Sequence, residues 1–364
     1  MSPVKSCSAG APLSIRRARS DATECTGATG WISGYDSLIT QTNASIAFKG
    51  TANYITISGR TTASGGGYGW LIRRTGTSGN GIEFYNGANT NYIKIEYMEL
   101  YGPGGSEATG DARGIDDTPG SSSSSYHTFS HLKIHDFESG MYVAFYDYHT
   151  AEYIDMYNIY GNPTMHPNLY YVINSSNGII RYSKFHDSSA SGTGIAFSDG
   201  GVFNNWTIYG NLFYDMSTAS GAAISIQESA ANGLKIYNNT FNNNVLNFYL
   251  AGGGTCGVGS ESKNNLINGS GGAVNCGTQS NNLAISSPNS FENLAGKNYH
   301  IVSNIGAGYP RNAGTALGTS YNTDMDGTIR GGGDGSWDIG AYEYKSAAPD
   351  GSFVPRPPAI QGIN

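Results

Sequence analysis

Seven short segments recur along this chain at nearly constant spacing, and that repeat restricts the possible folds more than any other feature. The clearest copy is LKIYNNTFNNN (Leu234–Asn244). Upstream stand WTIYGNLFYD (Trp206–Asp215), IIRYSKFHD (Ile179–Asp187), YIDMYNIYG (Tyr153–Gly161), FSHLKIHDF (Phe129–Phe137) and IKIEYMELYG (Ile93–Gly102). A weaker copy, SKNNLINGS (Ser262–Ser270), follows. Each reads as a short alternating strand, a tight corner and a second short strand centred on one large apolar residue. Taking Leu100, Ile134, Ile159, Phe185, Phe213, Phe241 and Ile267 as those centres gives gaps of 34, 25, 26, 28, 28 and 26 residues. A unit of this size cannot bury its apolar face alone, so the units must stack.

The residue types choose the kind of unit. Gly, Asn, Ser, Thr and Tyr mixed with β-branched residues disfavour helical repeats and favour strands. Regularly spaced leucines are absent. Three short strands per turn, joined by corners of variable length, make a parallel β-helix, an all-β solenoid of about 25–28 residues per coil. Asparagine suits the corners because it tolerates the left-handed backbone region, and its amide can hydrogen-bond to an equivalent amide one coil away. On this reading Asn211, Asn238, Asn239, Asn264 and Asn265 occupy the corner in later coils, and His131, Met156 and Tyr182 in earlier ones.

Only 13% of the 364 residues are charged and 52 are Gly, yet the regular apolar positions argue for packing rather than disorder. The expected organisation is an N-terminal segment or first coil (1–30), a solenoid (31–345) and a Pro/Gly-rich tail (346–364). A net charge of −7 leaves no footprint for nucleic acid or an anionic membrane, and no apolar run is long enough for a membrane span. A monomer is expected. Cys256 and Cys276, 20 residues apart, could meet across adjoining coils, with Cys7–Cys25 as a second bridge. Two disulfides would imply an oxidising, extracellular setting; four reduced thiols remain the alternative. The first 20 residues lack the apolar run of a secretory leader. APLSIRRARS reads as the tail of a first coil, so the native start is expected to precede Met1.

The coils, together with DMDGTIRGGGDGSWDIGAYEY (Asp324–Tyr344), resemble the right-handed parallel β-helix proteins of the pectate-lyase-like superfamily. Bacterial members close the solenoid with D-x-D-G, an Arg and D-I-G-A-Y-E, here Asp324, Asp326, Gly327, Arg330 and Asp338 to Glu343. The resemblance spans about Ala11 to Tyr344 and implies a secreted polysaccharide-active protein. No lyase or hydrolase catalytic motif matches residue by residue. Asp116–Asp117 resembles the paired aspartates of polygalacturonases, but the accompanying N-T-D, G-H-G and R-I-K motifs are missing.

Two columns of residues carry the candidate site. A third strand per coil is read at Gly140–Asp147, Asn168–Asn174, Thr193–Asp199, Ala222–Glu228 and Val245–Leu250. With Val143 and Phe145 inward, Tyr142 and Tyr146 face outward, with Tyr170 and Asn174 stacked beside them. Such a ribbon suits a linear polymer, and in related enzymes the substrate groove commonly runs here; His166 would stand on its wall. Beside each closing apolar residue stand Lys133, His135, Tyr160, Lys184 and His186, with Arg181 on the preceding strand. Lys, Arg and His could neutralise a uronate and shuttle protons in a β-elimination. Asp116, Asp117, Asp147 and Asp199 recur at about coil spacing and are candidate oxygen ligands for Ca²⁺, or corner-forming residues. A uronate-polysaccharide lyase is the first reading. A two-carboxylate glycoside hydrolase and a non-catalytic carbohydrate-binding solenoid remain open beside it.

Overall fold

The computed structural model describes residues 7–76, 78–104, 111–118, 124–145, 147–160, 167–188, 192–216, 221–285, 288–333 and 335–345. Parallel pairing runs from coil to coil along three strand columns, the right-handed β-helix expected from the repeat. The first and second columns merge into one seventeen-stranded sheet, because strands such as Asn89–Tyr101, Thr128–His135 and Thr150–Tyr157 run through the bend between them. The third column is a separate eight-stranded sheet. Its strands are Ile46–Phe48, Ile82–Phe84, Arg113–Asp117, Ser139–Ala144, Asn168–Ile173, Thr193–Phe197, Ala222–Gln227 and Leu246–Ala251, stacked in chain order. Leu13–Arg16 pairs in parallel with Ile55–Ser58.

Stacking, not local propensity, holds these short strands. Leu100, Ile134, Met156, Phe185, Phe213, Phe241 and Ile267 form one interior row, and the Phe185–Phe213 and Phe213–Phe241 rings stack at 5.2 and 5.0 Å. Burial of each such side chain is worth about 1.5–3 kcal/mol. Met156 takes the place expected for Ile159; Ile159 is also buried, but three residues further on.

The bend residues adopt left-handed backbone at Tyr97, His131, Tyr153, Tyr182, Asn238, Asn264 and Asn281. His131 and Tyr182 lie there as expected, but Tyr153 replaces Met156. Aromatic residues are strained at positive φ. Here their rings stack on one another, Tyr97–His131 at 4.4 Å and His131–Tyr153 at 4.6 Å, which offsets the strain. One residue further on, Asn211, Asn239, Asn265 and Asn282 turn inward and form a buried amide ladder, each Nδ2 donating to the next Oδ1 at 2.9–3.1 Å. Each of the first three also donates to a strand carbonyl, which satisfies polar groups that burial would otherwise penalise.

The C-terminal segment folds back over the later coils of the second column. Phe291, Tyr299, Ile339 and Tyr342 pack on Leu212, Tyr214 and Leu266, and Ala341 N–H donates to Thr240 Oγ1 at 2.9 Å. Asp324 Oδ1 accepts from the Asp326 and Thr328 amides and Oδ2 from Glu343, a turn rather than an ion site. Arg330 is buried beside Glu343 and donates to the Gly340 and Ala341 carbonyls. Cys256 and Cys276 form a disulfide, whereas Cys7 and Cys25 are free thiols, so the second expected bridge is not made. The disulfide is consistent with an extracellular setting. Among the described residues no helix is long and apolar enough to cross a membrane.

Candidate functional site

Alternation along the third column decides which side chains reach solvent. Met141, Tyr170, Ile195 and Ile224 form one inward row; Asp116, Tyr142, Tyr171, Ala196, Ser225 and Tyr249 form the outward row beside it. Tyr142 is therefore outward, as expected, but its neighbour is Tyr171, with ring centroids 4.8 Å apart. Tyr170 is a core residue with no exposed surface, and its hydroxyl meets the buried His149. Val143 points inward, but Phe145 sits in left-handed backbone at the strand end and is exposed.

An open cleft of about 570 Å³ lies over this face, lined by Arg113, Tyr142, Phe145, Asn174 and Asp199, with Gly200 and Gly201 at its rim. The Arg113 guanidinium lies 4.0 Å from the Tyr142 ring centroid. Asp111 holds it through Nε at 2.9 Å and Nη2 at 3.1 Å, and Asp116 approaches Nη1 at 3.2 Å. Burial pushes the Tyr142 phenol up to about 12 although Arg113 pulls the other way, so the hydroxyl stays protonated at neutral pH. Burial likewise raises Tyr171, whose hydroxyl interacts with Ser198 and Asp199. Asn174 has left-handed backbone, and its Oδ1 accepts from the Val202 amide at 3.1 Å. A Cβ on Gly201 would come within 2.4 Å of the Asn174 nitrogen, so glycine there permits the rim to close on Asn174.

The basic residues expected in the site rise from the other sheet. Lys133, His135, Lys184 and His186 are on the second column and Arg181 on the first, away from the cleft. The outward row reads Leu71, Glu99, Lys133, Asp155, Lys184, Leu212, alternating in sign through its four charged members. Glu99 accepts from Lys133 at 3.1 Å and contacts His135 at 3.0 Å, while the other His135 nitrogen faces Asp136 at 2.5 Å. His186 repeats the pattern with Asp155 at 2.9 Å and Asp187 at 2.7 Å. Arg181 is held by Glu152 and Tyr209. Among the described residues the Lys184 ammonium has no hydrogen-bond or ion-pair partner, and Asp155 offsets its charge at longer range. Burial alone would raise Glu99 and Asp155, but hydrogen bonds from His135 and Lys133, and from His186, outweigh it and lower both carboxylates.

Tyr101, His135, Tyr157, His186 and Tyr214 stack above this row at 4.4–4.9 Å, and Tyr68 of the Gly65–Tyr68 strand lies near its charges. Tyr157, not Tyr160, is the residue in register. The sheet thus gathers these basic residues, but into a charge-matched ladder rather than an unpaired cationic cluster.

The four aspartates do not share a point. Asp117 is fully buried against His127 Nδ1 at 2.8 Å; Asp116 accepts from Asn80 and Thr118 and pairs with Arg113. Asp147 accepts from the Ser176 amide at 2.7 Å, whereas Asp199 lines the cleft. Among the described residues no three His, Cys, Asp or Glu side chains converge on a metal position, so this set does not fit a Ca²⁺ site. His166 and Tyr146 lie outside the described residues. Arg113 and Tyr171 were missed in the sequence. Tyr171 had a signal, since strand alternation puts it on the opposite face from its neighbour Tyr170; Arg113 sits in the long insertion, where no repeat marks it.

No family model and no curated protein matches this sequence. Among solved structures the chain is similar to the crystal structure of pectate lyase Pel9A, with a TM-score of 0.63 and 13% identity over 95% of this chain and 83% of that one. At that identity the likeness shows the fold alone.

Proposed function

We propose that this protein holds an extended uronate-containing polysaccharide along the outer face of the eight-stranded sheet and cleaves it by β-elimination. The observation that carries the reading is the Arg113 guanidinium laid on Tyr142 at the floor of an open cleft running across coils. Strands stacked about 4.8 Å apart present recognition groups at nearly the rise of one sugar residue. Tyr142 and Tyr171 present their hydroxyls and outer ring edges to the polymer.

In the proposed reaction Arg113 neutralises the sugar carboxylate, which makes the adjacent C5 proton more acidic. A general base in the cleft takes that proton, the C5–H electron pair becomes the C4–C5 double bond, and the C4–O bond breaks. The Tyr142 hydroxyl, kept protonated by its raised pKa, gives its proton to the leaving oxygen. A hydrolase would instead need two carboxylates roughly 5–9.5 Å apart; Asp199 and Glu228, at equivalent strand ends one coil apart, are a pair on this face that strand spacing brings close to that range.

Incubation with a panel of uronate polysaccharides tests this directly. The expected outcome is a rise in ultraviolet absorbance from unsaturated chain ends, lost in Arg113→Gln and strongly reduced in Tyr142→Phe. New reducing ends without that absorbance would give the chemistry to a hydrolase. Binding with neither signal would leave a non-catalytic carbohydrate-binding solenoid.

A further inference from the structure

Charge is distributed very unevenly between the two sheets. Between Arg113 and the last third-column strand, Leu246–Ala251, the chain has only four other Lys or Arg residues: Lys133, Arg181, Lys184 and Lys235. All four belong to the seventeen-stranded sheet. Arg113 is therefore the one Lys or Arg serving the third column from its own strand onward. Carboxylates on the same face are more numerous. Asp111 and Asp116 both pair with Arg113, exposed Asp199 lines the cleft three coils on, and exposed Glu228 occupies the equivalent strand-end position one coil beyond. The remaining outward groups that reach solvent are neutral: Tyr142, Tyr171, Asn174 and Tyr249.

We infer that the cleft selects a polysaccharide in which acidic sugars are sparse, a single uronate at Arg113 followed by neutral sugars over Tyr171, Asp199 and Glu228. The inference rests on the polysaccharide reading above and narrows its substrate class. A homopolyuronate lying along the sheet would carry a carboxylate about every 5 Å, nearly matched to the strand spacing. Its charges beyond Arg113 would then face Asp199 and Glu228 with no cation between them. Neutral sugars avoid that repulsion, and their hydroxyls can donate to the same carboxylates.

The test compares binding of three polymers at low salt with a chelator present: a homopolyuronate, a copolymer in which single uronates are separated by several neutral sugars, and a neutral glycan. The sparse-uronate copolymer is expected to bind tightest, and Arg113→Gln should bring it down to the neutral glycan. Asp199→Asn and Glu228→Gln should each strengthen homopolyuronate binding by about three- to fourfold, the effect of removing one like charge near 5–6 Å in water. Added salt should move wild-type homopolyuronate binding in the same direction. Homopolyuronate binding as tight as the copolymer, or unmoved by both substitutions, would overturn the inference while leaving a polysaccharide site in place. Tightest binding of the neutral glycan would overturn it as well. No binding of any polymer would remove the polysaccharide reading itself.

Discussion

The two sheets use the same coil-to-coil stacking to opposite ends. On the seventeen-stranded sheet every basic residue of the second-column row is set against an acid one coil away: Glu99, Lys133, Asp155 and Lys184 alternate. On the eight-stranded sheet the outward row is mostly neutral, with Arg113 and Tyr142 forming the floor of a cleft. One face answers each charge from the next coil; on the other, Arg113 is met by Asp111 and Asp116 of its own coil and lies beside an open cleft. A cluster of Lys, Arg and His is therefore not in itself a sign of chemistry on a solenoid. What matters is whether the neighbouring coils already answer it.

The largest effect is expected where the two faces share an interior. Phe213→Ala opens the middle of the stacked phenylalanine row and should cost about 3–5 kcal/mol in chemical denaturation. Should binding in the cleft survive while the charged face melts separately, the two faces would not be one cooperative unit. Asn239→Ala should cost about 1–3 kcal/mol, since it strips the Ile208 carbonyl and the Asn211 amide of buried partners.

The next contrast bears on function. Tyr142→Ala should weaken glycan binding about tenfold with little change in unfolding, as loss of a ring contact and its hydroxyl would. Lys184→Ala and His186→Ala should keep turnover and shift stability by no more than about 1 kcal/mol. Loss of turnover in either, with unfolding unchanged, would return the chemistry to the charged face.

The smallest effect is a pH dependence of the ladder. Glu99 and Asp155 titrate below their ordinary values of 4.5 and 3.8 in the folded protein. Their contribution is complete above those values and is lost as pH falls through the lowered folded ones. Glu99→Gln should accordingly flatten the fall in melting temperature between neutral and acid pH. An unchanged slope would mean the ladder contributes little.

The architecture could be read from the sequence because burial writes itself at coil spacing. The Phe185, Phe213 and Phe241 row, the inward asparagines and all five proposed third-column strands reappear where expected. The site was harder, and the coil containing Met156 shows why. That coil returns 22 residues after Ile134, not 25, so centring it on Ile159 brought Asn158 and Tyr160 into rows that belong to Asp155 and Tyr157. Asp155 was thereby hidden as the partner of Lys133 and Lys184, and a charge-matched row looked like a basic cluster. Similarly, a one-residue shift after a variable loop exchanged Tyr170 for Tyr171. Asp117 was misread for a different reason. An acid is rarely buried, and the pattern of one strand cannot announce that His127 waits inside to receive it.

The alternating row carries a consequence for how the chain assembles. A chain that omitted one coil while stacking would set Glu99 against Asp155, or Lys133 against Lys184, like charge on like. Interior rows of interchangeable apolar residues offer little protection against such a skip. Signs that change at every step do, so this face works as a parity check on the order in which the coils close.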